Sequence, residues 1–321
     1  MSKVLSYSFW CVSECFFAAI QAFHYPALAS LLSKKLSEKS GRSRTYTTVM
    51  AGTATGNVLS GSVGSLLLAT YGWHSVFYTF GTLSVIWALL VKFCLIKGKK
   101  DDTKQSNGQL SKPVNQKVLM KDVPWKVLLT HSAFWALILG RFCLNYVFHL
   151  LFSWLPTYFS EKFPDENGYV FNVIPWLLCV PSSILSGFIA DKIISSGYSV
   201  TVARKCLHTL ECSGVVVCLI AISMAETFYT AVVCATAALI FQSFGLAGVF
   251  ANAQDIAPDF AGAVFGLMNT AGAIPGFIGV YAAGHLLEYL HSWPAVFCST
   301  ACISFIGWFI FFIFGTGKKI V

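Results

Sequence analysis

The sequence predicts an all-α membrane protein, and three observations carry that prediction. Hydrophobic residues make up 56% of the 321-residue chain, charged residues only 11%, and the mean hydropathy is +0.67. A soluble domain is about 25% charged, so lipid is the solvent for most of this surface. Apolar stretches also recur at the length spanning requires, ~20 residues per helix, because every backbone amide in hydrocarbon must be satisfied within its own segment. Finally, residues 51–77 recur at 271–297 with nine of 27 positions identical, among them Gly52, Gly56, Gly64 and Trp73 against Gly272, Gly276, Gly284 and Trp293. A long-period repeat in an apolar chain is the layout of a two-fold duplicated helical bundle.

Nine spans follow in order: 7–33, 46–70, 74–97, 128–158, 168–191, 206–225, 227–252, 261–287 and 292–315. The first begins without a small-residue cleavage site, so no removable signal is expected. The second and eighth carry Gly52-x-x-x-Gly56 with Gly61 and Gly64, and Gly272-x-x-x-Gly276 with Gly279 and Gly284. Such spacing lets helix backbones approach closely in lipid. Pro156, Pro175, Pro181 and Pro275 mark expected kinks. Residues 98–127 are rich in Lys, Asp, Ser, Asn and Gln and too polar to bury a core. The expected organisation is therefore 1–97, a partial bundle of three helices; 98–127, a central linker; and 128–321, a six-helix bundle.

Charge placement supports this layout. Of the 22 Lys and Arg, 19 fall in 34–44, 92–126, 192–205 and 318–319, stretches that alternate so as to share one side. By the positive-inside rule that side is cytosolic, which puts the central loop and the C-terminus in the cytosol and Met1 opposite. The net charge of +8 thus reports topology and not affinity for a nucleic acid polymer. The 11 cysteines lie mostly inside spans with no Cys-x-x-Cys pair, as expected of small apolar packing residues. Paired carboxylates, a metal-ligand cluster and a nucleophile elbow are not found, so enzyme chemistry, a catalytic residue and a metal are not expected.

Three stretches carry a family resemblance. Ser186-Gly-Phe-Ile-Ala-Asp-Lys192, followed by Arg204-Lys205, resembles the major facilitator superfamily signature Gly-x-Leu-Ala-Asp-Arg and its trailing basic residues. Tyr25-Pro-Ala-Leu-Ala, Tyr71-Gly-Trp-His-Ser-Val-Phe-Tyr78 and Asn252-Ala-Gln-Asp-Ile-Ala-Pro258 resemble its organic-anion solute carrier branch. Leu151–Phe159 and Phe163–Trp176 are most similar to the vesicular nucleotide transporters of that branch. The resemblance runs from about residue 17 to 315. It implies a twelve-helix fold, no bound cofactor, and potential-driven, chloride-dependent uptake of ATP and related nucleotides into vesicles. A vesicular or lysosomal membrane is the implied location. Physically, Gly187 permits close helix packing, while Asp191 can pair with cytosolic basic residues such as Arg204 and latch one conformation; a plain helix-end salt bridge is the simpler alternative.

Two departures accompany the resemblance. Three spans precede the linker where the family has six, so an N-terminally truncated form is expected, about nine helices instead of twelve. The family also places an arginine seven residues before the residue that precedes Tyr/Phe-Pro-Ala; with Gln21 as that anchor, the position here is Glu14.

The residues themselves nominate a site. A charge at mid-membrane costs ~2.5–3.5 kcal/mol and is functional by default. Arg141 lies 13 residues into the fourth span, ~20 Å along it, with Asn145 and His149 following at four-residue intervals. That stripe offers a cation, an amide and an imidazole to phosphate oxygens, and guanidinium suits phosphate because it donates two parallel hydrogen bonds. Pairing of Arg141 with Glu14 or a backbone carbonyl is the structural alternative. Gln21 and Tyr25 join the list as cavity-lining candidates, with helix packing as their alternative, and Asn269 joins it with a plain interhelical hydrogen bond as its alternative. The expected function is transport of an anionic small molecule across the bilayer, most readily a nucleotide. The rivals are a carrier for phosphate, glutamate or sialic acid, an anion channel, and a non-transporting truncated isoform or incomplete gene product that partners full-length copies.

Overall fold

The computed structural model describes residues 24–33, 41–105, 121–166 and 168–321. Within them the chain is helical: α1 over 24–33, α2 Arg42–Leu59, α3 Ser65–Tyr71, α4 Trp73–Gln105, α5 Trp125–Thr130, α6 Ser132–Lys162, α7 Gly168–Ser195, α8 Val200–Ser223, α9 Phe228–Ser243, α10 Ala251–Ile256, α11 Ala261–Leu290 and α12 Trp293–Phe314. Turns of π-helix occupy Ser60–Gly64 and Leu246–Phe250. Seven segments among the described residues are long and apolar enough to cross a membrane: Trp73–Phe93, Ser132–Lys162, Val173–Ser195, Val200–Ser223, Phe228–Ile256, Ala261–Leu290 and Trp293–Phe314. Of the two other expected spans, 7–33 lies mostly outside the described residues. The 46–70 stretch is helical but broken by its π turn, and threonine, serine and glycine dilute its apolarity.

The chain forms two compact units, one of residues before Gly56 and after Leu119, the other Gly56–Leu119. In the smaller unit, Gly72 turns the chain at φ +79° between α3 and α4, and Ser75 Oγ donates to the Gly72 carbonyl at 2.6 Å. In the larger, His291 turns it at φ +48° between α11 and α12. Both hairpins restart on a tryptophan, Trp73 or Trp293, at equivalent positions of the repeat. They differ about two helical turns earlier: 60–64 is π-helical, whereas 280–284 is regular α-helix.

Helix starts in the larger unit follow local chemistry. The Ala133 amide donates to His131 Nδ1 at 3.2 Å to open α6, and the Val202 and Thr230 amides donate to Ser199 Oγ and Thr227 Oγ1 to open α8 and α9. These caps satisfy amides that have no partner inside the helix. α6 begins at Ser132, because Trp125–Thr130 is a separate short helix, so Arg141 lies nine residues in, ~14 Å from the start and not ~20 Å. Beside a small cluster around Leu207 and Phe244, two large apolar clusters form the core. One gathers Tyr158, Phe159, Phe228 and Phe297; the other, towards the basic end of the helices, gathers Tyr46, Phe134, Phe265 and Phe311.

Tyr158 anchors the first cluster. It is fully buried, donates from its hydroxyl to the Ile222 carbonyl at 3.2 Å, and meets Phe159, Phe163, Trp293 and Phe297 edge-on. Tyr158→Ala is expected to cost about 3–5 kcal/mol, as large aromatic truncations do. Tyr158→Phe, which removes the hydroxyl alone, is expected to cost about 0.5–1.5 kcal/mol. Denaturation midpoints of the detergent-solubilised variants check the ranking.

Candidate functional site

The site is built where α6 lies on the glycine stripe of α11. Each glycine leaves a gap that an α6 side chain enters. A Cβ at Gly272 would sit 2.7 Å from Asn145 Nδ2 and 2.9 Å from Arg141 Nε. At Gly276 it would meet the His149 ring at 3.0 Å, at Gly279 the Tyr146 ring at 2.7 Å, and at Gly284 the Trp154 indole at 2.8 Å. Hydrogen bonds stitch the same seam: Asn145 Nδ2 donates to the Gly272 carbonyl at 2.7 Å and Trp154 Nε1 to the Val280 carbonyl at 3.1 Å. In hydrocarbon, where helices gain little from burying apolar surface, such close backbone approach and interhelical hydrogen bonding hold the contact.

Arg141 sits in this seam, 6% exposed. Its Nη2 donates to Asn269 Oδ1 at 2.9 Å, and its guanidinium lies 3.4 Å from the centroid of the Phe250 ring. The ring face is electron-rich and attracts the cation. Among the described residues Nε and Nη1 have no hydrogen-bond partner, which leaves their three N–H groups free. Tyr46, fully buried with an unpartnered hydroxyl, and Tyr25 lie within electrostatic reach of the cation. A cation so placed can seat an anion that supplies the missing acceptors.

A second polar network closes the basic end. The Ser43 and Arg44 amides, at the start of α2, donate to Asp191 Oδ1 and Oδ2 at 3.2 and 3.0 Å. A carboxylate at a helix N-terminus satisfies orphan amides and the helix dipole together. Gly187 makes room for the crossing, since a Cβ there would collide with Thr47 Oγ1 and lie 2.8 Å from Arg44 Cα. Arg204 binds Asp255 at 2.6 Å, Ser43 Oγ at 3.1 Å and the Ala247 carbonyl at 2.7 Å. Arg42 donates to the Gln254 side chain and carbonyl, and its Nη1 is 3.8 Å from Asp255. Gly187, Asp191 and Arg204 thus meet the first turn of α2, with Asp191 bound to backbone amides and Arg204 paired to Asp255.

Of the other expected residues, Asn145 and Asn269 are engaged in the seam with Arg141, and the His149 ring covers Gly276. Tyr25 lies apart from them in its bonding: its hydroxyl is 3.2 Å from Thr53 Oγ1. Gln21 and Glu14 lie outside the described residues. Sequence reasoning missed Phe250, whose role needs the π turn, and it missed His208 and Glu211. The cost of a buried charge that nominated Arg141 applies equally to Glu211, inside the predicted 206–225 span, and was the available signal. Among the described residues no three His, Cys, Asp or Glu cluster as metal ligands, and Cys143, Cys179, Cys212 and Cys218 are free and buried.

Comparison with known proteins bears on the family and the fold. The sequence profile described as Major Facilitator Superfamily matches residues 4–280. The voltage-gated purine nucleotide uniporter SLC17A9 of Mus musculus is 41% identical over 94% of this chain and 66% of its own length; that of Homo sapiens is 39% identical over 98% and 71%. The ascorbate transporter of Arabidopsis thaliana chloroplasts is 34% identical over 99% of this chain and 59% of its own length. The chain therefore spans about two thirds or less of the length of most of these relatives. The fold matches the crystal structure of the Escherichia coli fucose:proton symporter, with a TM-score of 0.64 at 14% identity, covering 91% of this chain and 73% of that one.

Asp255 is the shared acceptor of the basic-end network. Asp255→Asn is expected to destabilise the protein by about 3–5 kcal/mol, because it leaves the buried Arg204 without a counter-charge. The double variant Arg204→Met/Asp255→Leu is expected to cost less than the single. Thermal denaturation of both variants tests this order.

Proposed function

The chain belongs to the Major Facilitator Superfamily, and on that premise we propose that it carries organic anions by alternating access, with a purine nucleotide as cargo and Arg141 as its anchor. The observation that carries the proposal is the guanidinium itself: buried, held by Asn269 and Phe250, and still offering the N–H groups of Nε and Nη1. A phosphate group supplies several acceptor oxygens and negative charge in one ligand. The mammalian relatives, purine nucleotide uniporters 39–41% identical to this chain, support purine nucleotides as the class.

Transport then needs the seat to open to each side in turn. The Asp191–α2, Arg204–Ser43 and Arg42–Gln254 contacts hold α2 against the six-helix bundle at the basic end, and opening that end breaks them. With the basic end cytosolic, in a vesicular or lysosomal membrane, cargo enters from the cytosol. Each negative charge carried gains ~2.3 kcal/mol per 100 mV of inside-positive potential, so a polyvalent nucleotide can be concentrated without a chemical co-substrate. The plant relatives, one named as an ascorbate and one as a phosphate transporter, support a second reading: another anion, such as phosphate, glutamate or sialic acid, on the same seat.

Uptake of labelled ATP into proteoliposomes is expected to rise with an imposed inside-positive potential, and potential-independent or absent uptake removes the nucleotide reading. Arg141→Ala is expected to cost about 2–5 kcal/mol of anion binding, at least tenfold in uptake below saturation. Its insertion into the bilayer should be unchanged. Arg141→Lys keeps the charge but loses the planar fork, so it is expected to fall between wild type and Arg141→Ala. Unlabelled phosphate, glutamate and sialic acid in competition separate the two substrate readings.

A further inference from the structure

One buried ionisable pair takes no part in the anion seat. Glu211 is fully buried and His208 is 3% exposed, both on α8 within a membrane-crossing segment. His208 Nδ1 lies 2.8 Å from Glu211 Oε2, without hydrogen-bond geometry, and among the described residues neither His208 Nε2 nor Glu211 Oε1 has a partner. A carboxylate in hydrocarbon with unfilled acceptor positions is costly to keep ionised. A bound proton removes that cost.

The surroundings leave the pair to itself. From α6 the titratable neighbour is Cys143, and on α8 it is Cys212, whose Sγ accepts from Ser304 of α12. α12 adds the Phe311 ring, T-shaped against the His208 ring with centroids 5.2 Å apart. One turn nearer the basic end, Arg204 is taken up by Asp255. Cys143 and Cys212 bring no positive charge to offset an ionised Glu211.

The pair also lies against the segment that carries Phe250. A Cβ at Gly248 would sit 3.2 Å from the His208 backbone nitrogen, and one at Gly245 would sit 3.7 Å from Glu211 Cγ. Both glycines belong to the stretch that opens the π turn Leu246–Phe250, whose last residue stacks on Arg141. We propose that His208 and Glu211 form an intramembrane proton site that acts on the anion seat through this π turn. The coupling rests on the transport reading; the proton site does not. One proton added to the Glu211 carboxylate discharges it. Its loss restores a buried anion that draws on His208, shifting the α8 surface on which Gly248 rests and so the hold of Phe250 on Arg141.

Two measurements test this on the full chain in liposomes. Infrared difference spectra between acid and neutral pH are expected to show a protonated-carboxyl band that Glu211→Gln removes; a band that persists in Glu211→Gln, or none in wild type, overturns the proton site. Nucleotide uptake at clamped potential is expected to change about tenfold per pH unit on one limb, the slope of a single linked proton. Glu211→Gln should flatten that limb and Glu211→Asp should keep it, whereas an unchanged slope in Glu211→Gln overturns the coupling. His208→Gln is the second variant should Glu211→Gln fail to insert, and it too is expected to flatten the limb. A Glu211-dependent band with no nucleotide uptake in wild type supports the proton site and overturns the nucleotide reading instead.

Discussion

A guanidinium placed among apolar helices has to be satisfied where it stands, and much of the larger unit is arranged around that requirement. Arg141 cannot shed its charge cheaply, so the fold supplies an amide oxygen from Asn269 and an aromatic face from Phe250. Each supply has its own structural condition. Asn269 reaches Arg141 because α11 lies close on α6, which the stripe Gly272, Gly276, Gly279 and Gly284 permits. Phe250 reaches it at the end of a π turn, a local widening of the helix that is frequent at functional sites. The satisfaction is incomplete, and the N–H groups left over are what the proposed seat offers an anion.

The π turn ties three regions together. The Ala247 carbonyl accepts from Arg204 of the basic-end network, Gly248 rests on His208, and Phe250 covers Arg141. The short segment between α9 and α10 thus meets the polar cluster at the basic end, the buried histidine–glutamate pair and the proposed anion seat. Small rearrangements there have consequences at all three, because packed helices shift between discrete arrangements rather than deform continuously. The start of α2 belongs to the same system: its amides rest on Asp191, and Ser43 accepts from Arg204.

Much of this was legible in the sequence, and what was not has physical causes. Composition and segment length gave the helical membrane class, and the glycine spacing gave the α11 seam, because small residues have few other uses in a lipid-facing helix. Arg141, Asn145 and His149 at four-residue intervals gave one face of α6 directly. The partners across the seam depend on tertiary packing: no one-dimensional pattern links Arg141 to Asn269, 128 residues away, or to Phe250. The break of 46–70 at a π turn was hidden for a similar reason, since π geometry leaves no periodic trace over five residues. Asp191 was expected to meet a basic side chain and instead caps α2, because an open helix end offers two amides in fixed geometry.

The central claim is that an anion lodges against Arg141. The most direct test is photo-labelling with an azido-purine nucleotide, followed by mapping of the modified peptides. The account predicts labelling around residues 141–149 of α6, 250 and 269–276, competed by unlabelled ATP and lost in Arg141→Ala. Saturable labelling confined to other helices, or undiminished in Arg141→Ala, would contradict it.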